Sequence, residues 1–295
     1  MEDVNITVVT YNRLNLTQTC LTSLLNLTRG AFKVHVVDNG SSDGTREYLQ
    51  SIHDPRLKVI LLGRNMGVSV AANVGWAAYE DAPLYVKLDN DVEILSPDWL
   101  DILIKYSENQ DLGMIGYLFL AKHTVREITL QDGSPFWDFS SCGGACCAIS
   151  YRVHQQLGFW TEDYGHYGFE DMEYGQRCRL LHLGTGYVPY TDKVTHLGYN
   201  DMLASYEEKK QSGLEDITGK KMYFFNKLLF EHGIRPLKVA RRYLPTLDTY
   251  PVRFKLNPEY RPILALLNEM QRTVPYKREN DLVSLDLSRW KITNK

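Results

Sequence analysis

The stretch VKLDNDVEIL, residues 86–95, runs apolar until it stops on Asp89, Asn90 and Asp91. Aspartate is a poor strand residue, and two carboxylates one residue apart repel unless a cation or hydrogen-bond donors compensate them. At a strand end that turns, both can reach one ion, directly or through water. Oxygen ligands suit Mg2+ or Mn2+, and such an ion keeps part of its coordination sphere for phosphate oxygens. Taken alone, the same three residues also make an ordinary turn. A second acidic group lies in GFEDMEYGQR, where Glu170, Asp171 and Glu173 stand at a helix start. The helix dipole stabilises acids there, and a carboxylate so placed can take the proton of a hydroxyl. Acids that merely open a helix are the plainer account, above all for Glu173. Asp38 closes a third apolar run and precedes NGSSDGT, a turn in which Asp43 is expected to cap the next helix. Its carboxylate can accept hydrogen bonds from a base or a ribose. A lone histidine, His196 in KVTHLGY, is usually structural, although imidazole suits Mn2+.

The elements that must position these groups alternate. VNITVVT (4–10), FKVHVVD (32–38), LKVILL (57–62) and LYVKL (84–88) are β-rich, and LTQTCLTSLLNL, TREYLQSI and SVAANVGWAAYE between them carry apolar residues at helical spacing. That βαβαβαβ order predicts an α/β fold with a mostly parallel sheet flanked by helices. Ligands of such sheets bind beyond the carboxyl ends of the strands, and those ends read TYNR, DNGSSDGT, LGRNMG and DND, all polar. Further along we expect a helix at 97–109, strands near 113–120 and 124–131, a glycine-rich stretch at 142–150, a helix from about Glu170, and short strands around 186–189 and 193–197. Beyond residue 215 the pattern is helices joined by proline-containing turns.

At 295 residues and 44% hydrophobic, the chain can bury a full core as one large or two modest domains. Acidic residues at the start, and no apolar run near the ~20 residues of a membrane span, read as a cytoplasmic protein. Five cysteines are an odd number without framework spacing, so reduced structural thiols are expected. Sequons at Asn5, Asn15, Asn26 and Asn39 are taken as coincidental. Charge is segregated: residues 1–215 hold 17 Lys and Arg against 28 Asp and Glu, net −11, and residues 216–295 hold 16 against 8, net +8. The basic part is either a solvated face or one attracted to an anionic membrane surface or acidic acceptor, so peripheral membrane contact at the inner face is an expectation. Nucleic-acid binding is excluded by the overall negative charge and the absence of a recognisable motif.

TYNR, VVDNGSSDGT, RNMGVSVAANVGW, KLDND and GFEDMEYGQR stand in an order and spacing that resemble the family 2 glycosyltransferases of the GT-A fold, over about residues 4–200. The resemblance implies a GT-A domain at 1–215, with a helical, basic extension at 216–295, and a nucleotide-sugar donor, UDP-sugar being the commonest. By the same resemblance Thr10, Tyr11 and Arg13 line the nucleoside pocket, Asp38 contacts the base, and Arg64, Asn65 and Asn73 lie near ribose or diphosphate. Asp89 and Asp91 match the metal-binding DXD motif around Asn90, which is grouped with the donor site, and relatives often place a histidine at the position of His196 as a further metal ligand. Asp171 matches the general base, with Glu170 as its neighbour or an acceptor ligand. Lys87 departs from the usual apolar or small residue; it either reaches the diphosphate or pairs with an acid. Gly143 and Gly144 would let backbone approach the donor sugar or the acceptor, or simply form a turn. Trp160 and Tyr164 either stack on a sugar or belong to the core. The function implied is a metal-dependent, inverting transfer of sugar to a saccharide or lipid-linked glycan. Its rivals are a catalytically inactive binding protein and a sugar-phosphate nucleotidyltransferase, which would need a glycine-rich loop that TYNRLNLTQTC lacks. A dinucleotide oxidoreductase lacks its G-x-G-x-x-G.

Overall fold

The computed structural model describes residues 3–119, 124–198, 217–273, 276–279 and 282–285. In chain order the elements are β1 (Val4–Thr10), α1 (Leu14–Leu27), β2 (Phe32–Asp38), α2 (Thr45–Ser51), β3 (Leu57–Leu61), α3 (Val68–Ala77), β4 (Leu84–Asp89), β5 (Val92–Ile94), α4 (Trp99–Ser107), β6 (Leu112–Gly116), β7 (Arg126–Thr129), β8 (Pro135–Asp138), β9 (Cys146–Ser150), α5 (Tyr151–Leu157), α6 (Glu170–Leu180), β10 (Gly184–Tyr187) and β11 (Val194–His196). There follow α7 (Ile217–Glu231), β12 (Tyr243–Thr246), β13 (Arg253–Leu256), a short 3-10 turn, α8 (Arg261–Thr273), β14 (Tyr276–Glu279) and β15 (Leu282–Leu285).

Nine strands form one mixed sheet in the order β3-β2-β1-β4-β9-β6-β10-β8-β7. The four expected strands are mutually parallel neighbours, so Thr10, Asp38, Leu61 and Asp89 finish on one edge. Every residue of β1 is buried, as a parallel strand covered on both faces requires. Alternation sorts the side chains between two cores. Ile6, Val8, Val86 and Leu88 meet α1 and α4 on one face. Val9, Tyr85, Met114 and Ile149 meet α3, α5 and α6 on the other. By the same parity Lys87 lies on the face of Tyr85, toward α6. Asn5, on β1, is fully buried and its amide donates to Gly75 O and Trp76 O, which disposes of the sequon there. All five cysteines are buried free thiols.

Several boundaries differ from expectation. The helix expected at 97–109 covers only Trp99–Ser107, after Ser96 and Pro97, and the strand expected near 113–120 ends at Gly116. The elements β5, β8 and α5 were not anticipated: β5 is three residues long, too short for a periodic signal. Asp43 is not itself the cap position of α2, which falls on Gly44. Its carboxylate nevertheless accepts from Thr45 N and from Leu14 N, serving the first turns of two helices. The C-terminal part is not purely helical, because β12 and β13 pair as a hairpin and so do β14 and β15. The prolines of YLPTLDTYPVRF suggested turns, but a two-stranded ribbon has free edges that tolerate Pro245. The proposed boundary at 215/216 lies outside the described residues.

The extension is joined to the sheet domain by buried polar contacts. Asp163, with its side chain wholly buried, meets Arg235 (2.9 Å) and the Tyr260 hydroxyl (2.7 Å), and Arg242 stands 3.6 Å away. Next to it, Glu162 accepts from the Asn73 amide at 2.7 Å and from the Arg242 and Tyr243 backbone N–H groups at 3.0 Å. An apolar patch of Tyr164, Phe225, Leu229 and Leu267 closes the seam.

Candidate active site

Asparagine side chains knit the strand-end loops together. Asn12 and Arg13 both take left-handed backbone, which turns the chain out of β1. Asn12 accepts from Ser42 N, and its own N–H donates to Ser41 Oγ at 2.7 Å, tying the β1 loop to the β2 loop. Asn39 donates to Asn65 Oδ1 at 3.0 Å and accepts from Met66 N at 2.7 Å, tying the β2 loop to the β3 loop. Asn90 donates to Thr10 and Thr17 hydroxyls, tying β4 back to β1. Buried amides satisfied in this way hold loops rigidly. Asp38, 1% exposed, accepts Ser41 N with both oxygens. Tyr11 and Arg64 are exposed on the same edge.

The carboxylates of Asp89 and Asp91 and the imidazole of His196 offer ligand atoms that all lie within 4.8 Å of one another. His196 arrives from 105 positions downstream because β11 pairs with β5, placing it opposite Val92, and because Leu197 N bonds Asp91 O at 2.8 Å. Its Nε2 is 3.5 Å from Asp91 Oδ1. Asp91 Oδ1 and His196 Nδ1 are buried without a hydrogen-bond partner. Gly198 closes over the pair, and any side chain there would collide with Asp91 Oδ2. Burial, then the charge of Asp89, raises the Asp91 carboxyl above its ordinary range. Orphaned oxygen and nitrogen donors in a snug cradle fit a divalent cation. Arg13 meets Asp91 Oδ2 at 2.6 Å. Of the two partners expected for Lys87, the structure shows the acid: its buried ammonium is bonded to Asp89.

The acidic helix faces the same edge. Asp89 N bonds Ala145 O, and the N–H of the preceding residue, Gly144, donates to Asp171 Oδ2 at 2.9 Å. Met172 N holds Oδ1 at 2.7 Å, so the Asp171 carboxylate has a fixed orientation. Burial raises Asp171 against the pull of those N–H groups. Glu170 is 6% exposed with Oε2 unpartnered, and burial followed by the charge of Asp171 pushes it up to about 8. Glu173 takes no part: it is locked to Arg177, both side chains fully buried. Gly144 thus contributes an N–H to Asp171.

Two expected donor contacts are corrected. Asn73, fully buried on α3, spends its amide on Trp160 O and Glu162 Oε1 and its carbonyl on Trp160 N, leaving nothing for a ribose or diphosphate. The Asn90 side-chain NH2 is likewise spent, on the Thr10 and Thr17 hydroxyls. Trp160 and Tyr164 are core, at 0% and 1% exposure. Sequence reasoning missed Asn12, Asn39 and Gly198; two Asx-type turn signals could have flagged the first two.

A GT-A fold, metal-type donors at the strand ends and an oriented carboxylate on α6 agree with the comparisons. The chain belongs to the family described as Glycosyl transferase family 2, which it matches over residues 5–157. It is 29% identical over 221 residues to the O-antigen biosynthesis protein RfbC of Myxococcus xanthus, covering 65% of this chain and 17% of that one. It is 30% identical over 323 residues to the uncharacterized protein y4gI of Sinorhizobium fredii, covering 99% and 31%. The chain therefore spans under a third of the length of these curated relatives. Among solved structures it resembles the mannosyltransferase PcManGT from Pyrobaculum calidifontis in complex with GDP-Man and Mn2+, with a TM-score of 0.55 and 16% identity over 92% of this chain and 72% of that one. GalNAc-T7 with UDP, GalNAc and Mn2+ gives 0.54 and 14% identity over 66% and 44%. At such identities the likeness speaks for the fold. No described helix is long and apolar enough to cross a membrane.

Proposed function

We propose that the chain is a metal-dependent, inverting glycosyltransferase that moves a sugar from a nucleoside-diphosphate sugar, UDP-sugar first among candidates, to a hydroxyl of a saccharide or lipid-linked glycan. The observation that carries this is the placement of Asp89, Asp91 and His196 on the same strand-end edge as an Asp171 carboxylate fixed by Gly144 N–H. Thr10, Asn12 and the β2 and β3 loops form the floor of a nucleotide site, with Tyr11, Arg13, Asp38, Arg64 and Asn65 along it. Asp91, His196 and Asp89 would hold a divalent ion, Mn2+ or Mg2+, whose chemistry is to neutralise charge on a departing diphosphate. Asp171 accepts the proton of the acceptor hydroxyl while the oxygen bonds the anomeric carbon and the bond from that carbon to the diphosphate oxygen breaks. A single displacement inverts the anomeric configuration. Lys87, a buried cation between Asp89 and α6, compensates the crowded carboxylates.

The Mn2+ in the names of the structural neighbours supports the divalent ion, and the O-antigen role in one relative's name supports a place in surface polysaccharide synthesis. The test is incubation with Mn2+, a panel of nucleotide-sugars and saccharide acceptors, with the product anomer read by NMR. An inverted product is expected, and a retained configuration would overturn the mechanism.

A further inference from the structure

The stretch Ser141-Cys142-Gly143-Gly144-Ala145 leads into β9, and two adjacent residues in it touch the two halves of the site. The Gly144 N–H donates to Asp171 Oδ2 at 2.9 Å, and Ala145 O accepts from Asp89 N at 2.8 Å. Whatever fixes this strap fixes the base relative to Asp89. None of the five residues is charged, so hydrogen bonds and packing must hold it.

At its start, Ser141 Oγ donates to Asp171 O at 2.7 Å. The strap and α6 can come so close because residue 175 is a glycine: a Cβ there would stand 2.9 Å from Ser141 Cα, Cβ and Oγ. In its middle, the Gly143 N–H donates to the Tyr187 hydroxyl at 3.1 Å. Tyr187 ends β10, where it is in register with Gly116 of β6 on one side and Trp137 of β8 on the other. Its backbone is therefore set by neighbouring strands on both sides. Its ring is 4% exposed in the core on the α6 face, 6.1 Å from the Phe139 ring. A stiff, buried side chain on an interior strand carries its hydroxyl to a defined point. From there the path to the carboxylate is short: Tyr187 hydroxyl, Gly143 N–H, Gly144 N–H, Asp171 Oδ2. Two consecutive glycines have the widest backbone freedom of any pair, and the Tyr187 hydroxyl restrains what they would otherwise leave loose.

We propose that Tyr187 is a positioning residue for the transfer step: its hydroxyl fixes Gly143, and through it the Gly144 N–H that orients the Asp171 carboxylate. This rests on the reading of Asp171 as general base. In this role Tyr187 acts only through the strap and touches no reacting atom.

The experiment is a double-mutant cycle on turnover with Tyr187→Phe, Asp171→Asn and the two combined. Release of nucleoside diphosphate is followed in Mn2+ from UDP-glucose, GDP-mannose and dTDP-rhamnose, with a panel of methyl glycosides as acceptors, for the pair that the wild type turns over fastest. Tyr187→Phe should lower kcat on the order of tenfold, the effect of a slightly misplaced reacting group, with KM for donor and acceptor unchanged. Calorimetric titration with the matching nucleoside diphosphate should give the wild-type stoichiometry, so that the loss is not a missing fraction of folded protein. In the Asp171→Asn background the same substitution should change nothing, because no base is left to orient. An equal fold-loss in both backgrounds, a reduced binding stoichiometry that accounts for the loss, or an unchanged kcat in Tyr187→Phe overturns the assignment. Wild-type turnover in Asp171→Asn overturns the base reading, and with it this inference; so does a wild type that turns over none of the three donors.

Discussion

Two Glu-Asp pairs stand eight residues apart in this chain, Glu162-Asp163 and Glu170-Asp171, and the structure uses them in opposite ways. The first fastens the C-terminal part. Glu162 takes three N–H donors, and Asp163 faces two arginines, a phenol and an amide drawn from the C-terminal part. The second pair is fixed in place but not neutralised: Asp171 is held by two backbone N–H groups, and Glu170 keeps an orphaned oxygen. The difference lies in the kind of partner: Asp163 is paired with arginines, although its Oδ1 accepts no hydrogen bond, whereas Asp171 is held by neutral backbone N–H groups.

That contrast can be broken most forcefully at Asp171. Asp171→Asn should lower transfer by about 10²–10⁴-fold, as loss of a general base does, with the melting temperature unchanged or raised. Steady-state rates alongside thermal denaturation decide it; a variant that melts early would move Asp171 into the structural class. The reverse is expected at Asp163→Asn or Arg235→Met, where breaking a buried pair should cost about 3–5 kcal/mol of stability in urea titration. Normal stability there would mean the seam is not what fastens the extension.

Acid titration sharpens the same comparison with a smaller effect. Glu170 is raised from 4.5 to about 8 in the folded chain, so the folded state binds a proton that the unfolded state has released. Stability should fall as pH rises from about 5 to 8. Transfer should rise over the same range, as the coupled Glu170-Asp171 pair ionises. Glu170→Gln should flatten the stability slope near pH 8, and an unchanged slope would mean that the Glu170 carboxyl is not the source. Glu162, raised to about 7 by burial, adds a component of the same sign that is complete by neutral pH.

Much of the sheet domain was legible because strand and helix periods are strong where elements are long. The four parallel strands and the polar edge they share followed from alternation alone. The pairing of β11 with β5, which delivers His196, is a contact between two three-residue strands a hundred residues apart, too short for any periodic signal. The acids of the DND and FEDM stretches were visible as candidates, and the family resemblance pointed to Asp171, but residue types alone gave Glu162-Asp163 no role. Only the fold shows that Arg235, Arg242 and Tyr260 return to the first pair and leave the second. Asn73 illustrates the converse error: the family resemblance implied a ligand contact, and tertiary packing turned it inward to bracket Trp160 and Glu162.

The central claim is that Asp91 and its neighbours hold a cation against a nucleoside diphosphate. It is tested most directly by thermal-shift measurement with UDP, GDP, dTDP and CMP, each with and without Mn2+, on the wild type and on Asp91→Ala. The account predicts stabilisation by one nucleoside diphosphate that requires Mn2+ and disappears in Asp91→Ala. Stabilisation that is indifferent to Mn2+ or survives the substitution, or no shift with any nucleotide, would contradict it.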